Sequence, residues 1–406
     1  MRTLIVSHYF PPEIGAPQAR LSDLARFWAE DDHVTVLTGM PNHPTGIVPP
    51  EYRRKLRVEE HSDGYRVLRT WLYATRNEGF AKKTVGHLSF MVTSVLLGLR
   101  KSGPADAVVV SSPTFFSIFS GLVLAKAKRA KLVVEIRDLW PAIFVELGVI
   151  TNRPLILLLE RTELWLYHMA DEVVVVSEGF RDDLVRRGVP ETKVHTIRNG
   201  VDTKRFVPGA DSGPGRTRLG VTDEETLVLY IGAHGISHGL DTVVDAAARL
   251  EGQTIRFVFI GEGAKKLELE RQVKEHGLTN VDMFPGVPRD EVAELLAAAD
   301  ICLVPLRDVP LFSTFIPSKI FEYFAAGKAV IGAVRGEPAQ ILRDGGALVV
   351  EPGNPESLAD AVSDLAGDPE QRDAMAKQAR TYVEAEFDRP RLAQDYRTIL
   401  HNVVGR

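Results

Sequence analysis

Short apolar runs, rich in β-branched residues, recur along the chain. In the first half they span residues 3–6, 34–37, 107–110, 132–136 and 172–176, and in the second 226–231, 255–260, 301–304, 329–331 and 347–350. Most are continuous rather than alternating, the pattern of strands covered on both faces. Between the runs the apolar spacing changes to that of a helix. Leu21, Leu24, Ala25 and Trp28 share one helical face, Leu240, Val243, Val244, Ala247 and Leu250 a second, and Val292, Leu295, Leu296 and Ala299 a third. Strand–helix alternation in both halves predicts an α/β chain with two parallel sheets.

The break between the halves is expected at residues 207–225, VPGADSGPGRTRLGVTDEE, a Pro-, Gly- and charge-rich stretch without apolar period. This divides the chain into a first domain at 1–205, a second at 206–387 and a terminal helical segment at 388–406 that packs back on the first. The length of 406 residues suits two domains. A hydrophobic content of 45% and a charged content of 25% are those of a soluble globular protein. The formal net charge is −5 and uneven, the first 200 residues being mildly basic and the rest acidic. No block is basic enough to predict nucleic-acid binding. The one cysteine, Cys302, excludes an intrachain disulfide and a cysteine-based metal site. The N-terminus lacks signal-peptide features and no long uninterrupted apolar stretch marks a membrane span, so a cytoplasmic protein is expected.

Several segments carry candidate chemistry. Val6-Ser7-His8-Tyr9-Phe10-Pro11-Pro12-Glu13-Ile14-Gly15-Ala16-Pro17 leads from a strand into a helix. A glycine there lets backbone N–H groups approach an anion, and Pro17 suits the first helical turn. Tyr230 to Gly239, YIGAHGISHG, repeats this arrangement with three glycines and two histidines. It reads as an anion site, a plain loop, or a histidine metal pair without an acidic third ligand. Ile260-Gly261-Glu262-Gly263 ends the next strand, where glycines keep side chains out of a ligand crevice. The segment from Phe315 to Gly327, FIPSKIFEYFAAG, predicts a helix opened by Pro317 and closed by Gly327. Lys319 then stands in the first turn, where the helix dipole disfavours a cation unless an anion binds nearby, and Glu322 lies on the same face. The chain contains no D-x-D pair. A transferred diphosphate would therefore be neutralised by N–H groups, Lys319 and helix ends rather than by a divalent metal; neither metal nor cofactor is expected.

In order and spacing these segments, with Val176-Ser177-Glu178 and Arg198-Asn199-Gly200-Val201-Asp202, resemble the GT4-type family of retaining glycosyltransferases over nearly the whole chain. HYFPPEIGAPQARL, TGMPNHPTG and EIRDLWP are most similar to WbuB-type enzymes of bacterial surface-polysaccharide assembly. The resemblance implies a GT-B fold, two Rossmann-like domains with parallel sheets facing across a cleft, with the acceptor on the first and a nucleotide sugar, UDP-linked, on the second. It implies catalytic roles for Gly15, whose amide would lie near the diphosphate, for Lys319, which would neutralise it, and for Glu322 on the donor ribose; Asp138, following the apolar run 132–136 and so at a sheet's carboxyl edge, is a further catalytic candidate that would orient the acceptor hydroxyl or pair with Arg137. Gly232, His234, His238, Gly239, Gly261, Gly263, Val287, Thr314, Phe315, Ile316 and Ser318 would contact the donor, and Glu13, His43 and Arg137 the acceptor. The chain departs from the family pattern at Ala16, where a paired glycine is common, at Ala233, His234 and His238, where Arg and Lys are common, at Thr314, where a first Glu is common, and at Arg137, where a His is frequent.

The expected activity is transfer of a sugar, such as an N-acetylamino sugar, to a lipid-linked saccharide in polysaccharide or O-antigen assembly. The alternatives are transfer to a small natural-product acceptor, a degenerate nucleotide-sugar-binding module, and a non-hydrolysing nucleotide-sugar epimerase. Residues 80–101, FAKKTVGHLSFMVTSVLLGLRK, are apolar between basic ends, and the first domain adds the clusters Arg53, Arg54, Lys55, Arg57 and Lys126, Lys128, Arg129, Lys131. Peripheral contact with the inner face of a membrane through this domain is expected, against the alternative of an ordinary core helix.

Overall fold

The computed structural model describes residues 1–43, 45–75, 80–112, 114–146 and 148–406, with 80 and 81 in backbone only. Pro44 of TGMPNHPTG and the first two side chains of the 80–101 stretch lie outside the described set. The chain forms two compact units, residues 1–198 with 390–406, and residues 199–389.

The first unit is built on strands β1 (Arg2–Ser7), β2 (His33–Gly39), β3 (Arg57–Ser62), β4 (Tyr65–Thr70), β5 (Ala107–Ser111), β6 (Lys131–Ile136), β7 (Glu172–Val175) and β8 (Val194–Thr196). They form one sheet in the order β3-β4-β2-β1-β5-β6-β7-β8. Every pairing is parallel except β3 with β4, an antiparallel hairpin at one edge. Its helices are α1 (Ala16–Ala29), α2 (Phe80–Gly98), α3 (Phe115–Lys128), α4 (Ala142–Glu146), α5 (Arg153–Met169) and α6 (Glu178–Arg186). The apolar face read at Leu21, Leu24, Ala25 and Trp28 is buried against Val34, Val36 and Val67 and against Ala393, Tyr396 and Leu400 of the C-terminal helix Arg389–Val404. Trp28 donates its indole N–H to the Ala393 carbonyl at 2.9 Å.

The second unit comprises α7 (Gly213–Leu219), β9 (Thr226–Ile231), α8 (Leu240–Arg249), β10 (Ile255–Ile260), α9 (Lys266–Glu275), β11 (Val281–Phe284), α10 (Val292–Ala298), β12 (Ile301–Pro305), α11 (Lys319–Ala325), β13 (Ala329–Ala333), α12 (Gly336–Asp344), β14 (Leu348–Val350), α13 (Pro355–Gly367) and α14 (Pro369–Glu386). Its sheet is parallel throughout, in the order β11-β10-β9-β12-β13-β14.

Two expectations need correction. The first sheet is not wholly parallel, and four strands, β3, β4, β8 and β11, were not expected. β3 and β4 read RVEEHS and YRVLRT, charged and half-solvated, so they lack the continuous apolar signature of a covered strand. Nor is 207–225 a linker. It contains α7, and the buried Arg216 guanidinium donates to the carbonyls of Ala298 (3.1 Å), Thr222 (2.6 Å) and Glu225 (2.5 Å) and to Asp300 (3.1 Å). The chain passes between units at Arg198–Asn199, ahead of the expected 205, and returns at Arg389–Pro390.

A buried ion pair ties α1 to β6 in the first unit. Arg20 Nε lies 2.9 Å from Glu135 Oε1, and both side chains are almost fully buried. Arg20 also donates to the carbonyls of Arg198 (2.8 Å) and Ile197 (3.0 Å), while Ser111 donates to the other Glu135 oxygen at 2.8 Å. Burial alone would push the Glu135 carboxyl up, but Arg20, Arg137 and the Ser111 bond hold it below its usual range. Removing one partner strands the other charge. Arg20→Met or Glu135→Leu is expected to cost about 3–5 kcal/mol in urea unfolding, and the double substitution less than the two singles together. Single variants as stable as the wild type would show that the pair is not a structural clamp.

Candidate active site

In the second unit three parallel strands end in loops that lie directly on one another. Gly232 N donates to the Ile260 carbonyl (2.9 Å), His234 N to Glu262 (2.9 Å) and Gly261 N to Phe284 (3.2 Å), continuing the ladder past the strand ends. This packing requires glycine. At Gly261, with φ +156°, a Cβ would sit 1.8 Å from the Gly232 carbonyl oxygen, and at Gly263 2.3 Å from that of His234.

Beneath this junction lies Lys319, the first residue of α11. Its Nζ sits 3.6 Å from the centroid of the Tyr230 ring, is sealed from solvent and has no hydrogen-bond partner. A Cβ on Gly232 would come within 2.9 Å of it. Tyr230 is held by its own hydroxyl, which donates to the Ala233 carbonyl at 2.7 Å. Burial drives the Lys319 ammonium well below its usual pKa, and only Glu322 opposes the shift. A cation in contact with an aromatic face but with all three donors unused is costly unless an acceptor binds.

Of the other expected donor residues, His234, His238 and Glu322 lie within electrostatic reach of Lys319. His238 is pushed down to about 3 by burial and the Lys319 charge, and its Nδ1 lies 3.4 Å from Ser237 Oγ. His234 is fully buried with neither ring nitrogen bonded, and is pushed down to about 4 by burial, Lys266 and Lys319. Both imidazoles are therefore neutral at pH 7. Gly239, at φ +57°, turns the loop into α8. Glu322 is raised by burial, against the pull of Arg389, Arg289, Lys319 and Arg205. These arginines, and Tyr230, carried no expectation from the sequence; the arginines lie far from the motif in sequence, and an aromatic inside an apolar strand reads as core. Thr314 gives its hydroxyl to the Leu311 carbonyl at 2.9 Å. Ile316 is buried, whereas Phe315, Ser318 and Val287 are half-buried.

The first unit gathers a second set at the carboxyl ends of β1, β2 and β6, which lie on one edge because the strands are parallel. Gly15 caps α1, and the Gln18 carboxamide occupies the space a Cβ would need, 2.5 Å from Oε1. Glu13 is buried, and its carboxylate accepts the N–H groups of Phe10 (3.1 Å), Asn42 (2.7 Å) and His43 (2.8 Å). Glu13 therefore braces the β1 and β2 loops with both its oxygens. The exposed His43 is brought against Tyr9, with ring centroids 5.3 Å apart. Tyr9 Oη lies 3.3 Å from His87 Nε2 of α2, and the His87 ring stands 4.7 Å from that of His8. Burial and Lys83 push His87 down to about 4; burial, His87 and His43 hold His8 well below its usual value. Sequence reading missed His8, Tyr9 and His87 as a cluster, because His87 lies in a stretch that reads as membrane-facing. Arg137 is buried after β6, and burial raises the neighbouring Asp138 carboxyl against the opposing charge of Arg137.

Residues 15–200 match the glycosyl transferase 4-like domain, and residues 215–382 match the glycosyl transferases group 1 domain. The putative colanic acid biosynthesis glycosyl transferase WcaI of Escherichia coli K12 is 27% identical over 411 residues, covering 98% of each chain. The 2-deoxystreptamine glucosyltransferase of Streptomyces kanamyceticus is 24% identical over 312 residues, 71% of this chain and 75% of its own. HepE of Anabaena, solved with UDP-glucose, shares the fold at a TM-score of 0.75 and 18% identity, covering 99% of this chain and 100% of its own. With a glycosyl transferase 4-like segment followed by a group 1 segment, the chain belongs to the GT4-type family of glycosyltransferases.

Proposed function

We propose that the protein is a retaining, metal-independent glycosyltransferase that moves a sugar from a UDP-linked donor to a lipid-linked saccharide in surface-polysaccharide assembly. The observation that carries this reading is the Lys319 ammonium, buried beside Gly232 with no acceptor. As the bond between the anomeric carbon and the diphosphate breaks, negative charge collects on the leaving phosphate oxygen. Lys319 and the backbone amides of the Gly232–Gly239 loop would neutralise it in a site shielded from water. Glu322, among its arginines, would accept the ribose hydroxyls. The acceptor hydroxyl forms the new bond to the anomeric carbon, and its proton passes to the departing diphosphate. On the first unit, His43, Arg137 and Asp138 are the candidates for holding the acceptor.

The surface-polysaccharide role draws on the similarity to WcaI. A second reading, a small-molecule acceptor, draws on the similarity to the 2-deoxystreptamine glucosyltransferase. A screen of radiolabelled nucleotide sugars for transfer and for donor hydrolysis tests both. Binding of donors without transfer to any acceptor and without hydrolysis would favour a non-catalytic binding module.

Lys319→Ala is expected to lower kcat/KM by roughly 10²–10³-fold, while EDTA leaves the wild-type rate unchanged. Full activity in the variant, or abolition by EDTA, would contradict the mechanism. Lys319→Met removes an unpaired buried ammonium, so its Tm should not fall even as activity does.

UDP affinity should depend on pH with a definite sign. The free-state pKa of Lys319 is depressed, and a bound diphosphate raises it. Binding therefore takes up a proton between those two values, and affinity falls as pH rises through that window, by at most about tenfold per unit. Calorimetry in buffers of different ionisation enthalpy should detect the uptake, which Lys319→Met abolishes. Glu322→Ala is expected to weaken donor binding by about 1.5–3 kcal/mol; unchanged affinity with lowered stability would make Glu322 structural.

A further inference from the structure

Exposed large hydrophobic side chains are distributed unevenly. Of nineteen among the described residues, ten lie on α2, α3 and α5. These three helices form one layer. Ser120 of α3 donates to the Met91 carbonyl of α2 at 3.1 Å, and Phe119 of α3 packs against Trp165 of α5 with ring centroids 6.5 Å apart. Helix α1, by contrast, is covered by the C-terminal helix.

The exposed positions are ordered. On α2, Val85, Leu88, Val92 and Leu96 follow the spacing of a single outer stripe, and Leu96 is 74% exposed. On α5, Leu158, Trp165 and Met169 do the same, at 61%, 48% and 38% exposure. Val123 of α3 lies in the helix between them, 47% exposed.

The exposed charge on this face is mostly basic. Helices α2 and α3 contain no Asp or Glu. On α5, Glu163 is buried and paired with Arg187, leaving Glu160, which is half-buried. Exposed Lys82, Lys126 and Arg161 each stand three residues from an apolar stripe position, Val85, Val123 and Leu158, and so flank the stripes. No helix among the described residues is long and apolar enough to cross a membrane.

We propose that the outer face of the α2, α3 and α5 layer rests on an anionic lipid bilayer, the leucines and Trp165 entering the headgroup boundary and the basic side chains meeting lipid phosphates. Apolar stripes flanked by cations, with an exposed tryptophan, match an interfacial environment. A second copy of the chain fits less well, because a two-fold contact sets this basic rim against itself. The inference goes beyond the proposed activity and holds whichever acceptor the enzyme uses.

Co-sedimentation of the full chain with phosphatidylcholine vesicles, with and without phosphatidylglycerol, tests it. The wild type should bind the phosphatidylglycerol vesicles at low ionic strength and be released by salt. Leu96→Glu/Leu158→Glu should weaken binding by at least about tenfold, and Lys126→Glu/Arg161→Glu should weaken the anion-dependent part by at least about tenfold. Unchanged Tm and donor hydrolysis would show that both variants are folded, and turnover on a water-soluble acceptor reads the activity separately from docking. Wild-type protein that stays in solution with both vesicles overturns the proposal. So does a Leu96→Glu/Leu158→Glu variant that sediments as the wild type, or a concentration-dependent dimer dissolved by that substitution without any vesicle binding.

Discussion

A buried lysine without a hydrogen-bond partner, held under a junction of glycines, sets the terms for the second unit. Lys319 opens α11, and its position depends on Tyr230 beneath the cation and on Gly232, whose missing side chain makes room for Nζ. Those in turn depend on β9 and β10 ending in register, so that Gly261 and Gly263 can lie against the Gly232 and His234 carbonyls. Strand register, loop composition and helix start all converge on one charge. Such an arrangement is poor for stability and suited to a ligand that brings its own negative charge. Burial, aided by Lys266 at His234 and by Lys319 at both, keeps His234 and His238 neutral.

The two units use buried or half-buried guanidinium groups in a common way. Arg20 collects the carbonyls of 197 and 198, Arg216 those of 222, 225 and 298, and Arg380 those of Thr203, Phe206 and Ala325. Each ties a segment that leaves regular structure to a helix or strand that does not. A planar donor fork can hold several carbonyls at once without moving, which a lysine cannot do.

What the sequence made legible was decided by local physics. Covered strands and helices with one apolar face were readable at β1, β2, β5 and β6, at β9, β10, β12 and β13, and at α1, α8 and α10, because burial imposes a period on a short window. The hairpin of β3 and β4 was not, since a half-solvated edge pair tolerates charge at most positions. Helix α7 was missed because its stability comes from Arg216 reaching across to Ala298 and Asp300, contacts with no local signature. At the site, Lys319 and Glu322 could be singled out from helix punctuation alone. Glu13 was readable as chemistry but not as a brace, and the arginines around Glu322 meet it only through the fold.

The hairpin at the rim of the first sheet has a consequence for the life of the protein outside its reaction. An eight-stranded sheet ends in open backbone donors and acceptors that invite another chain. Here the outermost strand is RVEEHS, mostly exposed, with Glu59 and Glu60 engaged by Arg66 (3.3 Å) and Arg69 (2.8 Å) of its neighbour. Adding a further strand would strip water from these carboxylates. At the opposite rim β8 is three residues long, too short to template a partner. The sheet thus resists edge-to-edge growth at both ends, which keeps one molecule's backbone from templating another.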